Sequence, residues 1–264
     1  MIISSNKQFA FIHIPKCAGS NFRNQLKAFE DNEDEFNLII IHPELGNINT
    51  AHLTLDMLKI YYPLTFQKVV EFESVAIIRN PYDRFISSVN QRLREFKGLS
   101  QSEISDKLVL EESKIVTNKL MDSKSNKYEL ELVHFIPQSE FVNLADGTRI
   151  VKNIFSFDQL NDVTKFFSES FGIVLSTDSK NSMYNATIDT KYSALKPIVK
   201  FLKPLIRKVP NHFQDSIRDT LIYFDIYGRI SNNQVSLITS NEFLDNFITD
   251  YYHEDFEIYR NLTK

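Results

Sequence analysis

The sequence predicts an α/β layer fold built around a mostly parallel sheet. Short apolar runs, rich in β-branched and aromatic residues, alternate along the chain with longer segments of helical periodicity. The chain has 264 residues, of which 42% are hydrophobic and 24% charged, which suits a folded protein with a large core. This composition excludes a disordered or collagen-like chain, and we expect residues 1–264 to form a single domain.

The first predicted unit is a strand, a tight loop and a helix. Residues 8–14 (QFAFIHI) form a short apolar run, and Pro15 follows directly. Beyond Gly19, Ser20 is a suitable N-cap for a helix. Apolar residues then recur at helical spacing: Phe22, Leu26 and Phe29.

The same alternation continues through the rest of the chain. Further strands are predicted at residues 38–42, 73–79 and 150–157, and further helices at residues 53–60, 82–96 and 158–171, with Asp158 as a cap. Residues 98–130 are polar and helical in pattern, and are expected on the surface or over a cleft. The last segment, residues 241–262, is amphipathic, with three aromatic residues predicted to be buried: Phe243, Phe247 and Phe256.

Composition also narrows the function. A single cysteine, Cys17, excludes an intramolecular disulfide and a multi-cysteine zinc site, and no metal centre is predicted. A formal net charge of −4 argues against nucleic-acid binding. With no signal-peptide pattern and no apolar stretch of about 18 residues, we expect a cytoplasmic, bacterial protein without an integral membrane segment. The basic run Lys191–Lys208 suits an anionic polysaccharide, a peripheral membrane contact or a solvated helix face.

The loop after the first strand has the features of an anion site. A strand that runs into a helix start gathers backbone N–H groups and the positive end of a helix dipole at one point. Lys16 adds a cation there and Ser20 adds a hydroxyl, although an ordinary turn with a surface lysine would look similar. The loop matches neither the ATPase pattern G-x-x-x-x-G-K-[ST] nor the dinucleotide pattern G-x-G-x-x-G.

Cys17 suggests a different chemistry. Arg23 follows it by six residues, which is the Cys-x5-Arg spacing of phosphatases that attack phosphate esters through a thiolate. The alternative is a buried, unreactive cysteine.

A second anion-binding element is predicted after the strand at 73–79. Arg79 lies at the carboxyl end of that strand, where open α/β sheets bind ligands, and Ser87 lies on the helix that follows. Asp83 and Arg84 are interpreted as a local charge pair or as helix caps.

Together, the two elements resemble those of sulfotransferases that use 3′-phosphoadenosine 5′-phosphosulfate (PAPS). FIHIPKCAGSNF (residues 11–22) is similar to the family's 5′-phosphosulfate loop, H-x-P-K-[TC]-[GA]-[GS]-[ST], and AIIRNPYDRFISSV (residues 76–89) to its 3′-phosphate element, R-[DN]-P-x-x-R-x-x-S. The ending YYHEDFEIY is also similar. The branch that the chain most resembles is that of the carbohydrate sulfotransferases related to heparan sulfate 2-O-sulfotransferase, which implies a P-loop-like, three-layer fold.

The resemblance implies roles for individual residues. Lys16 would stabilise charge on the leaving phosphate, and the loop backbone with the Ser20 hydroxyl would hold the 5′-phosphate. Arg79 and Ser87 would bind the 3′-phosphate. The implied donor-binding set is Lys16, Cys17, Ala18, Gly19, Ser20, Asn21, Arg79 and Ser87.

A histidine between the two elements is the general base in this family. His52, in TAHLTL, is the matching candidate, although Ala51 stands where the family has glycine. Imidazole titrates near working pH, which suits a group that removes a proton from a hydroxyl. His42, at the end of a strand, is the rival base.

Two further segments also resemble parts of the family. HFIPQSEFV (residues 134–142) resembles a family segment near the acceptor cleft, so His134 and Gln138 are acceptor-site candidates. The Asn-Ala-Thr at residues 185–187 resembles part of a nucleotide-binding loop.

The expected activity is transfer of a sulfuryl group from PAPS to an acceptor hydroxyl, expected to be on a carbohydrate, by in-line displacement and without a metal. The expected partners are PAPS, its product adenosine 3′,5′-bisphosphate, and the carbohydrate acceptor. The alternatives are a Cys17 phosphatase, a nucleotide-dependent kinase and a non-catalytic protein that keeps the nucleotide pocket.

Overall fold

The fold centres on a four-stranded sheet with the strand order β1–β2–β5–β6. A computed structural model describes residues 1–31, 35–100, 103–122, 124–177 and 234–263, with the strand backbone at 188–190 and 227–229. In the central sheet, β1 (Ile2–Ser4) is antiparallel to β2 (Phe9–Ile12). The next two strands, β5 (Glu73–Ile78) and β6 (Asn153–Ser156), continue parallel to β2. The predicted α/β fold, with a mostly parallel central sheet flanked by helices, is confirmed. A single domain over residues 1–264 stays a prediction.

A separate hairpin holds the apolar run at residues 38–42. This run forms β3 (Ile39–His42), which pairs antiparallel with β4 (Gly46–Asn49) outside the central sheet. The side chains of Ile39 and Ile41 are 64% and 88% exposed. A second short antiparallel pair joins β7 (Ile188–Thr190) to β8 (Tyr227–Arg229).

The described α-helices follow the predicted alternation. They are α1 (Gly19–Leu26), α2 (Leu55–Tyr61), α3 (Pro63–Glu71), α4 (Pro81–Lys97), α5 (Asp106–Met121), α6 (Leu160–Phe171), α7 (Gln234–Thr239), α8 (Glu242–Tyr251) and α9 (His253–Leu262). Short 3-10 turns include Thr50–His52, Val133–Phe135, Gln138–Phe141 and Phe157–Gln159.

Two predicted caps are wrong. Helix α1 begins one residue before Ser20, and its N-cap is Ala18, which takes a left-handed conformation and makes no side-chain cap. The side chain of Ser156, rather than Asp158, accepts the N–H that opens the 3-10 turn before α6. In the first place the backbone turns without a side-chain cap, and in the second the cap is a residue two positions earlier than predicted.

Aromatic packing holds helices α1 and α6 on the sheet. The rings of Phe9 and Phe167 are 5.4 Å apart, and those of Phe11 and Phe22 are 6.2 Å apart. Because alternate residues of a strand share one face, Phe9 and Phe11 place α1 and α6 on the same side of the sheet.

A second group of buried apolar residues lies among α4, α5, α7 and α8. Helix α4 contributes the predicted stripe Phe85, Val89 and Leu93. Helix α5, from the polar stretch at 98–130, buries Val109 and Val116 in the same group, so this stretch is part of the packed structure. In α8 the buried residues are Leu244 and Ile248, and Phe243 is 42% exposed, which contradicts its predicted burial. Phe247 and Phe256 pack partly buried against this group.

The topology brings three loops to one edge of the sheet. Strand register pairs Ile12 with Ala76 and Ile78 with Ser156, so the parallel strands end side by side. The loop at residues 13–18, Arg79 and Phe157 therefore meet where α/β sheets bind ligands.

Candidate active site

The loop between β2 and α1 has an unusual backbone. Lys16 and Ala18 have φ values of 67° and 60°, and neither residue is glycine. Left-handed conformations of this kind are uncommon for residues with a side chain and concentrate at functional sites. The first N–H groups of a helix have no partner within the helix, and here they follow directly on this loop. The loop therefore has the form of an anion-binding turn.

Gly19 allows the loop to pack directly against a histidine. A Cβ atom at position 19 would lie 2.0 Å from Cδ2 of His13, closer than atoms can approach. His13 itself is 8% exposed, and its Nδ1 is buried without a hydrogen-bond partner among the described residues. The requirement for glycine at the start of α1 is therefore steric, and it fixes the His13 ring against the loop.

Lys16 projects from this loop towards α4. Its Nζ donates to Oε1 of Gln91, and Nε2 of Gln91 donates to Glu95. Burial, together with the nearby charges of Arg94 and Arg79, lowers the pKa of Lys16 to about 8. Three cationic side chains thus lie close together in a chain whose formal net charge is −4. Such a cluster favours a bound anion, because an anion would offset the mutual repulsion.

Arg79 directly follows β5, and Ser87 lies on α4, the helix that also carries Gln91. The guanidinium of Arg79 lies over the ring of Phe157, with 4.7 Å between Cζ and the ring centroid. Ser87 is half-buried on α4, one helical turn before Gln91, so the two side chains share a helix face. The neighbouring Ser88 is buried, and its hydroxyl donates to backbone carbonyls of Arg84 and His134.

The other predicted donor-binding residues lie within the loop and first turn. Cys17 and Asn21 are buried, whereas Ala18 and Ser20 are half-buried. The side-chain oxygen of Asn21 accepts a hydrogen bond from Gln25, and its backbone N–H donates to the carbonyl of Ala18 at 3.1 Å.

His52 lies in the 3-10 turn before α2 and is 7% exposed. Its Nδ1 is 3.4 Å from the carbonyl oxygen of His13, which only accepts hydrogen bonds. The proton is therefore on Nδ1, and Nε2 keeps a free lone pair. Burial lowers the pKa of His52 to about 3, so the imidazole is neutral at ordinary pH.

Two other histidine rings surround His52. The ring centroids of His13 and His52 are 4.8 Å apart, and those of His52 and His134 are 5.4 Å apart, both in edge-to-face contact. Burial also holds the pKa of His13 and of His134 well below the usual range. His134 thus lies next to His52, the predicted base.

The rival base, His42, lies elsewhere. It ends β3 in the hairpin, and its Nδ1 accepts hydrogen bonds from the N–H groups of Glu44 and Leu45. Its ring contacts Tyr61, with 4.4 Å between centroids. Because Nδ1 of His42 accepts these two hydrogen bonds, its lone pair is already in use and is not available to take a proton from an acceptor.

Cys17 is placed for packing rather than for attack. It is 1% exposed, and its Sγ donates to Oε1 of Gln138 at 3.1 Å. Burial raises the pKa of the thiol to about 11, which disfavours the thiolate that a nucleophilic phosphatase requires. Arg23, the other half of the Cys-x5-Arg match, is 7% exposed and lies in α1.

Sequence reasoning missed the role of Arg84. It is 1% exposed, and its Nε and Nη2 donate to the carbonyls of Pro15 and Ile136 at 3.1 and 2.8 Å. Its interpretation as a local charge pair or cap is therefore wrong. The sequence does carry a signal for this role, because Arg84 is the second arginine of the 3′-phosphate motif R-[DN]-P-x-x-R-x-x-S.

Gln138 is also not what the sequence predicts. Its side chain has no exposed surface, so it cannot contact an acceptor directly. It bonds instead to Cys17, to the backbone of Arg79 and to Asp255. Asp255 is 117 residues away in the chain, so no local pattern could have found this contact.

The remaining predictions concern two segments outside the described residues, a metal site and a membrane-spanning helix. The basic run Lys191–Lys208 and the Asn-Ala-Thr at 185–187 lie outside them. Among the described residues, no group of three or more His, Cys, Asp or Glu side chains is arranged to hold a metal ion. None of the helices in the described ranges combines the length and the apolar character needed to span a membrane.

At one edge of the sheet, the α/β fold thus brings together a cationic loop, a strand-end arginine and a neutral histidine, an arrangement that suits an anionic ligand. A family model described as "Sulfotransferase family" matches residues 1–260. The chain therefore belongs to the sulfotransferase family, whose members transfer sulfuryl groups. No curated protein and no solved structure gives a significant match to it.

Proposed function

We propose that this protein transfers a sulfuryl group from PAPS to a hydroxyl of a carbohydrate acceptor. The observation that carries the proposal is the meeting of Lys16, Arg79 and His52 around one edge of the sheet. The resemblance of residues 11–22 and 76–89 to the two PAPS-binding elements supports PAPS as the donor. The carbohydrate acceptor follows from the branch that the chain resembles.

The residues present suit a donor with two separate phosphate groups. The left-handed loop and the start of α1 offer backbone N–H groups for the 5′-phosphosulfate. Arg79 offers a planar, permanently charged donor for the 3′-phosphate, and Ser87 offers a hydroxyl on the adjacent helix. The clustered charge around Lys16 would be relieved by the anion.

The chemical step uses this chain's residues in three roles. The acceptor oxygen attacks sulfur while the bond from sulfur to the 5′-phosphate oxygen breaks, which releases adenosine 3′,5′-bisphosphate. Nε2 of His52 takes the acceptor proton, and the His13 carbonyl holds the Nδ1 proton of the resulting imidazolium. Lys16 stabilises the negative charge that develops on the leaving phosphate oxygen. Bound PAPS, being highly anionic, would raise the pKa of His52 in the complex.

Ligand-dependent stability tests the donor. Adenosine 3′,5′-bisphosphate at about 100 times its Kd should stabilise the protein by about 2.7 kcal/mol, visible as a higher melting temperature. ATP and adenosine 5′-phosphate at equal concentration should give smaller shifts, and Lys16→Ala and Arg79→Ala should reduce the bisphosphate shift. A larger shift with ATP would favour a kinase, and no selective bisphosphate shift would contradict the proposal.

Turnover of PAPS tests the base. His52→Ala should lower kcat by about 10²–10⁴-fold, the usual contribution of a general base. His42→Ala is the matched control, because it removes a histidine that lies in the hairpin. Equal activity of the two variants would remove His52 as the base. Retention of measurable turnover by Cys17→Ser would exclude a mechanism that depends on a cysteine thiolate.

A further inference from the structure

We infer that Gln138 is a positioning residue that sets the spacing between the two phosphate-binding elements, and so the preference for a nucleotide with both 5′- and 3′-phosphates. This inference rests on the proposed function, because it assigns Arg79 to the 3′-phosphate and the loop at Cys17 to the 5′-phosphate. Gln138 itself touches no ligand, since its side chain has no exposed surface.

One carboxamide joins both elements. Oε1 of Gln138 accepts hydrogen bonds from the backbone N–H of Arg79 at 2.8 Å and from Sγ of Cys17 at 3.1 Å. Nε2 donates to the carbonyl of Arg79 at 2.9 Å. The carboxamide thus pairs with Arg79 as the backbone of a neighbouring strand would, one residue beyond the end of β5. Arg79 is held in place by its main chain, which leaves its guanidinium free to face a ligand.

Asp255 fixes the orientation of this carboxamide. Oδ2 of Asp255 accepts from the backbone N–H of Gln138 at 2.8 Å and lies 3.3 Å from Nε2, and Oδ1 accepts from Ser139 N–H at 2.8 Å. A carboxylate only accepts, so the –NH₂ side of Gln138 must face Asp255. Oε1 is therefore the atom that faces Cys17 and the N–H of Arg79.

Arg84 provides a second, parallel connection. It donates to the carbonyls of Pro15 and Ile136, two residues before Cys17 and two residues before Gln138. The loop and the segment that carries Gln138 are therefore joined at two points by fully buried side chains. Buried polar groups that are all paired make a structure rigid and specific. The spacing of the two elements is set before the nucleotide arrives, which favours a ligand whose phosphates match it.

The test compares two ligands by calorimetry. The measured quantity is the phosphate preference, defined as the Kd of adenosine 5′-phosphate divided by the Kd of adenosine 3′,5′-bisphosphate. Only the bisphosphate must reach both elements, so Gln138→Met should lower this preference at least fivefold. Cys17→Ala removes the connection to the loop and should lower it as well, and Cys17→Ser, which restores a donor, should recover most of the loss relative to Cys17→Ala.

Two further variants separate positioning from stability. Gln234→Met removes another buried glutamine, at the start of α7, and should lower stability without changing the phosphate preference. Cys17→Ala should have little additional effect in a Gln138→Met background, because the two groups form one connection. If Gln138→Met does not fold, the comparison of Cys17→Ala with Cys17→Ser gives the same test.

The outcomes are distinct. An unchanged phosphate preference in Gln138→Met and in Cys17→Ala, at whatever cost in stability, would overturn the inference and leave Gln138 as a scaffold residue. Absence of the preference in the unsubstituted protein would instead overturn the proposed function.

Discussion

Lys16 shows at the scale of one residue how this site is prepared for an anion. Its ammonium is half-buried, donates to Gln91 and lies near Arg79 and Arg94, and its pKa is lowered to about 8. The charged form is therefore less favourable than that of an exposed lysine, and a bound anion would stabilise it.

This lowered pKa predicts an alkaline loss of activity. Below pH 8 Lys16 is charged, and above it the neutral amine no longer stabilises the leaving group, so kcat/KM should fall about tenfold per pH unit above pH 8. The measurement is a pH profile of kcat/KM from pH 6.5 to 9.5. Lys16→Arg should have lower activity but no such limb, because guanidinium stays charged throughout. An identical alkaline limb in Lys16→Arg would assign it to another group.

Helix α4 is the element that connects the two parts of the site. It begins with Pro81 in the first turn, carries Arg84, Ser87 and Gln91 at spacings of three and four residues, and packs its apolar stripe into the core. Its start is fixed by Asn80, whose Oδ1 accepts from the N–H of Tyr82 at 3.0 Å. The position of the helix start therefore sets where its three polar side chains lie.

Loss of this cap should have a measurable cost. Asn80→Ala should lower the free energy of unfolding by about 1 kcal/mol, the usual contribution of an N-cap, measured by urea denaturation. Asn80→Asp keeps an acceptor at the same place and should lose much less. Equal destabilisation of the two variants would mean that Asn80 stabilises the protein in some other way.

The sequence predicts the strands and helices better than it predicts which parts of the chain they contact. The strands that end at Ile12, Ile78 and Ser156 were predicted because each is a short apolar run bounded by turn residues. The run that contains Ile39 and Ile41 has the same composition, yet it forms an exposed hairpin, because composition does not specify which sheet a strand joins. The loop and Arg79 are candidates because local motifs point to them, and their role as site residues stays a prediction. Asp255 could not be found, since its role depends on contacts 116 and 117 residues away.

For the molecule as a whole, the three neutral histidines make stability depend on pH. His13, His52 and His134 have pKa values lowered by burial, whereas in the unfolded chain each titrates near pH 6.5. The unfolded state therefore binds more protons below pH 6.5, so their contribution to stability is complete above that pH and is lost as the pH falls. The buried carboxyl of Asp255, whose pKa is raised by burial, offsets part of this loss.

Lowering the pH should therefore destabilise the protein at pH values above the range in which ordinary carboxyl groups titrate. Between pH 7.5 and 5.5 each histidine that stays neutral in the folded protein should remove about 1.4 kcal/mol from the free energy of unfolding. The buried N-terminal amine of Met1, whose pKa burial lowers to about 4, adds to this loss, and Asp255 opposes it. Urea denaturation at the two pH values measures this difference. His134→Asn should reduce the loss by about 1.4 kcal/mol, and a stability independent of pH over this range would contradict the assignment of neutral histidines.

The contact between Gly19 and His13 has a consequence for how the sequence can change over time. Because a Cβ at position 19 would fall on the His13 ring, no residue with a side chain can replace glycine while that ring stays. Loss of the ring alone would leave a void beside His52. The two positions are therefore expected to vary as a pair among related sequences.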